Sequence, residues 1–201
     1  MKLLRNIIAL TLALSLLCTM TALGASSKTT KDEPYVVIDV ENDMGTGPWI
    51  DLVDSDLADS EVQVISEISS ITEFFASARD ESGNTLDLTA MLNASEDQLI
   101  VHELNGVDAG GFTEGCGHVT AYFHFPTVYQ LGGDVVVIIG IAQNPQAEAH
   151  EDKNIVWTGF PGEVVKSPKG RGEVIKVTFP EEMVLAIQNK QAIIVIVDQA
   201  N

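Results

Sequence analysis

From Tyr35 to Asp198 the chain repeats one pattern: short runs of β-branched and aromatic residues, each ended by a cluster of turn-forming residues. Such runs occupy 35–40, 99–104, 119–125, 134–141, 154–158, 163–166, 172–178 and 192–198. Asn105-Gly106, Gly132-Gly133 and Pro168-Lys-Gly170 supply turn signals between them. Val, Ile, Thr and aromatic side chains suit a pleated surface, while Gly, Asn and Pro give the backbone angles of tight turns. The spacing predicts an all-β domain with at most one short helix, an antiparallel β-sandwich of immunoglobulin-like or jelly-roll type.

Three segments read less simply. Residues 42–60 hold Gly45, Gly47, Pro48 and five aspartates, the composition of a long loop with one helical turn at most. In 61–79, Val64, Ile65, Ile68, Ile71 and Phe75 follow a helical spacing, and Ser60-Glu-Val-Gln63 matches a capping box. Against this, Thr72, Phe74, Ala76 and Ala78 alternate, as do Leu86, Leu88, Ala90 and Leu92, around the turn sequence Asp80-Glu-Ser-Gly-Asn84. Two period-two runs joined by a turn predict a hairpin. Residues 180–190 fit either a short helix, with Pro and acids first and Lys last, or a strand through the apolar run Met183 to Ile187.

The N-terminus sets the compartment. Lys2 and Arg5 precede the apolar stretch Ile7 to Leu17, and Ala22-Leu-Gly24 offers small residues for cleavage, the pattern of a secretory signal peptide over 1–24. A polar leader at 25–33 follows, then one domain at 34–201. The expected location is secreted, periplasmic or cell-surface. Loss of Lys2 and Arg5 leaves 9 basic residues against 29 acidic ones, a net charge of −20. That charge excludes nucleic acid and anionic membrane surfaces as partners, because both are held by clustered Lys and Arg. Cys116 becomes the sole cysteine, so no disulfide forms within the chain and the core must supply the stability.

Candidate chemistry falls into three groups. Asp39, Glu41 and Asp43 alternate at a strand end, and Asp51 and Asp54 follow in the loop, a supply of hard oxygen ligands suited to calcium. Trp49, in a Gly/Pro-rich loop, is the aromatic residue best placed to meet a ligand. Cys116 is a candidate nucleophile with His102 or His118 as its base, and on one strand Cys116, His118 and His124 would also share a face.

Thr113-Glu-Gly-Cys116-Gly-His, with His102 fourteen residues upstream of the cysteine, resembles the secreted L,D-transpeptidase family over about 17 residues. The resemblance implies a cysteine-dependent enzyme. The chain departs from the family at Glu103, where a glycine is expected, at Glu114, where a histidine is expected, and at His118, where an arginine is expected. Acidic neighbours also raise a thiol pKa, which opposes activation. No Gly-x-Ser-x-Gly, His-Glu-x-x-His or phosphate-cradling glycine loop is present. The residues therefore point first to an exported, non-enzymatic binding or surface-assembly domain for a protein or carbohydrate ligand. Strand 192–198 is the expected exposed edge.

Overall fold

The apolar runs at 134–142 and 192–199 become strands buried on both faces, and this double burial organises the molecule. The structure is a computed structural model and describes residues 34–42, 47–127, 129–147, 153–170 and 172–200. The signal peptide and leader assigned to 1–33, together with Asp43, lie outside the described residues. The strands are β1 (Tyr35–Val40), β2 (Trp49–Val53), β3 (Arg79–Asp80), β4 (Leu99–Gly110), β5 (Val119–His124), β6 (Asp134–Ala142), β7 (Ile155–Lys166), β8 (Glu173–Phe179) and β9 (Ala192–Gln199).

Eight of them follow one antiparallel path, β1-β5-β8-β7-β6-β9-β4-β2, and β3 joins β7 in parallel. The end strands β1 and β2 approach each other, so the sheet is nearly closed. The antiparallel, β-rich class matches the expectation, but the strands make one barrel-like sheet rather than two facing ones. β9 is not an edge: it lies between β6 and β4, with Ala192 through Val197 all buried.

Alternation along β6 sends Val135, Val137, Ile139 and Ile141 into the barrel and Val136 and Ile138 outward. The inner set meets Phe123, Phe160, Ile175, Phe179, Ile194 and Ile196. The outer set is covered by Leu57, Ala58, Phe75, Ala78, Leu86, Leu88 and Leu92. Strands covered on both sides read as continuous apolar runs, as these do. Gly140 belongs to the outer set, and a Cβ there would stand 2.4 Å from the Trp157 ring, so the glycine makes room for the indole.

The outer cover is helical: α1 (Asp56–Glu67), α2 (Ile71–Phe74) and α3 (Leu88–Leu92). The expected hairpin across 72–92 is therefore corrected. Each helix starts at a side-chain cap that alternation does not register. Ser55 Oγ accepts from Ala58 N, Ser70 Oγ from Glu73 N and Asp87 from Ala90 N. The turn chemistry of 80–84 is real, with Asp80 Oδ1 accepting from Ser82 N and Asn84 N, yet it closes only the small bridge Arg79 to Thr85. The proposed capping box at Ser60 gives way to Ser55, and Ser60 Oγ donates to Leu57 O instead.

The presumed loop 42–60 contains β2 and the first turn of α1. Asn105-Gly106 lies inside β4 rather than at a turn, because Gly106 admits the crossing chain at Val53, whose carbonyl would be 2.5 Å from an added Cβ. The two runs 154–158 and 163–166 merge into β7. Pro161 sits where β7 changes neighbour, after β3 at Thr158–Gly159 and before β8 at Gly162, so its missing N–H is tolerated. Residues 181–189 form a helix, α4 (Glu181–Asn189), whose Val184 and Ile187 join the inner cluster and plug one end of the barrel.

Candidate functional site

A cleft of about 740 Å³ lies beside the plugged end of the barrel. Its walls come from the β2–α1 junction, the end of β4, the chain after β6 and the α4–β9 connection. A volume of this size suits a small ligand or a few residues of a chain. Asp54, Asp56 and Asp108 line it together with Lys153 and Lys190, Gln146 and Gln191 add amides, and no aromatic ring takes part.

At its base sits a buried ion pair. Glu61 on α1 is fully buried and Lys153 is 5% exposed. Lys153 Nζ donates to Glu61 Oε1 at 3.3 Å and to Ser60 Oγ. A buried acid and base are tolerated when they are paired and hydrogen-bonded to each other, as here. Ser60 and Lys153 both line the cleft, so the pair fixes the wall a ligand would meet. Sequence reasoning missed these residues. The signal was present in Glu61 itself, three and four residues after Ala58 and Leu57 on the apolar stripe of a helix, a position that normally carries a hydrophobic side chain.

The predicted cysteine site has a different character. Cys116 is fully buried in the inner cluster, its thiol facing the Gly117 carbonyl at 3.5 Å. β5 begins at Val119, so Cys116 and His118 do not continue the outward face of Thr120, Tyr122 and His124. Gly115 and Gly117, both at positive φ, aim their N–H groups at Glu181 Oε2, at 2.9 and 3.0 Å. Those bonds hold the Glu181 carboxyl below its usual range, and Glu41 is lowered by His118, whose backbone N–H donates to Glu41 Oε2 at 2.9 Å. The glycine loop thus cradles the protein's own carboxylates.

Burial first, and the charge of Glu181 second, raise the Cys116 thiol pKa. His118 Nδ1 lies 3.1 Å from Glu41 Oε2, while His102 Nε2 lies 3.6 Å from Asp198 Oδ2 near the opposite end of β4. An uncharged, enclosed thiol reacts slowly. In the folded protein Cys116 is expected to label with a thiol reagent at least about 100-fold more slowly than in denaturant; comparable rates in the two states would contradict this burial.

Asp39 lies on β1 opposite Thr120, Asp51 on β2 opposite Asp108, and Asp54 at the cleft. Among the described residues no three His, Cys, Asp or Glu side chains come together around a common ion position. Trp49 is 44% exposed, lies at the start of β2 rather than in a loop, and covers Gly110 with its indole. It does not line the cleft.

The fold and site thus define a nearly closed antiparallel β-barrel with a helical outer cover and a polar cleft. No protein-family model matches the chain, and neither a curated protein nor a solved structure is significantly similar to it.

Proposed function

We propose that the protein is an exported, non-enzymatic binding domain, working in the medium, the periplasm or at the cell surface, and that it holds a polar protein segment or carbohydrate in the cleft at Lys153. The observation that carries this reading is the cleft itself, whose wall is fixed by a buried ion pair and whose lining is rich in hydrogen-bonding groups. The catalytic alternative draws less support, since burial and Glu181 both push the Cys116 thiol away from the thiolate a nucleophile needs. Export rests on the N-terminal sequence. No helix of the described residues is long and apolar enough to cross a membrane.

The test is a thermal-shift and NMR screen against soluble oligosaccharides and a peptide library. Any ligand that binds only the native state raises the melting temperature. Binding that moves the resonances of Ser60, Asp108 and Lys153 and is lost in Ala147→Trp, which fills the cleft, supports the reading. Ligands bound equally by that variant, or none in either library, would overturn it.

A further inference from the structure

The outward face of β2 sets two like charges against each other between two apolar side chains. Pairing with β4 puts Trp49 opposite Gly110, Asp51 opposite Asp108 and Val53 opposite Gly106. Ile50, Val107 and Ala109 take the alternate positions and join the inner cluster, so the three rungs share the outer face. This part of the face is open: Trp49 is 44% and Val53 38% exposed, and both aspartates are exposed. The glycines make room for the apolar rungs. A Cβ on Gly110 would stand 2.6 Å from the Trp49 indole, and one on Gly106 3.1 Å from Val53 Cγ2.

Acids directly opposite each other on neighbouring strands repel and cost stability, where opposite charges would add to it. Each carboxylate accepts from the backbone next to it, Asp51 Oδ1 from Leu52 N at 3.0 Å and Asp108 Oδ1 from Ala109 N at 2.8 Å. Among the described residues no Lys, Arg or His forms an ion pair with either. The two lysines that line the cleft with Asp108 have other partners, Lys153 at Glu61 and Ser60, and Lys190 at Gln143 Oε1, 2.9 Å away. The central rung thus presents two negative groups to solvent with no cation of the chain between them.

We propose that this ladder binds a basic segment of another protein, laid along β2 in extended form with an arginine or lysine over the rung of Asp51 and Asp108. A guanidinium or ammonium there meets two carboxylates and, one rung away at roughly 7 Å, the Trp49 ring, whose face attracts cations. The alkyl stem of a second basic side chain, or an apolar residue, covers Val53. An extended polypeptide repeats its side chains at the period of the ladder, which favours a protein over a sugar polymer. The net charge of the chain, −18, draws a cationic partner and repels an acidic one. The ladder goes beyond the cleft: it shares Val53 and Asp108 with it, but Trp49 and Asp51 lie outside the cleft lining.

The first readout needs no ligand. Asp51→Asn keeps the oxygen that accepts from Leu52 N and removes the repulsion, so its melting temperature should rise by about 1–3 °C. The rise should exceed that of Asp39→Asn, an exposed strand acid facing Thr120 rather than another acid. The second readout is an NMR titration, in EDTA at low salt, with a peptide alternating arginine and valine over about six residues, enough to span β2. The Trp49 indole N–H and the Asp51 and Asp108 amides should shift, and the same peptide with glutamate in place of arginine should not bind. Affinity should fall about fivefold in Trp49→Ala and about fivefold in Asp51→Asn. Four results would each overturn the proposal: Asp51→Asn no more stable than Asp39→Asn, arginine and glutamate peptides bound alike, affinity unchanged in both variants, or shifts produced by a glucosamine oligomer and not by the peptide. Because neither variant touches the cleft lining, such a failure leaves the cleft reading standing, and a cleft that binds nothing leaves the ladder standing.

Discussion

Replacing Lys153 by Met is expected to destabilise the protein by about 3–5 kcal/mol, among the largest effects of any single substitution outside the apolar core. Glu61 is fully buried, and the substitution takes from it the ammonium at 3.3 Å while also removing the donor that Ser60 accepts. A carboxylate left there must either stay ionised without its cation or take up a proton, and both cost stability. The double variant Glu61→Leu with Lys153→Met should recover most of the loss, because an apolar pair of similar volume carries no desolvation cost. Urea denaturation of the two single variants and the double variant checks this. A single variant within about 1 kcal/mol of wild type would mean the pair is not the closed unit described here.

Ile138→Ala and Ile139→Ala are each expected to cost about 2–5 kcal/mol, a fall of roughly 5–15 °C in melting temperature for a domain of this size. The two neighbours point to opposite faces of β6, Ile138 toward the helical cover and Ile139 into the barrel, and both are fully buried. In a sheet with one wet face, one of the pair would be nearly neutral, since surface substitutions rarely exceed about 0.5 kcal/mol. Calorimetry of both variants therefore tests the two-sided burial directly. A near-neutral Ile138→Ala would remove the helical layer from the account.

The scaffold of the cleft is the run of β6 and β9, whose burial on both faces fixes β4 between β9 and β2 and so positions Asp108 at its wall.

The strands were legible because their signal is local: β-branched runs bounded by turn residues gave β1, β5, β6, β8 and β9 close to their true limits. The net charge likewise followed from residues alone. Closure of the sheet did not, because alternation says which side chains share a face and not how far the path curls before its ends meet. The helices at 56–67, 71–74 and 88–92 were obscured since short apolar runs fit both periods, and caps at Ser55, Ser70 and Asp87 decided the matter only where an apolar outer sheet face awaited them. The site residues were hidden because Glu61 and Lys153 are 92 positions apart, so their chemistry exists only once the fold has brought them together.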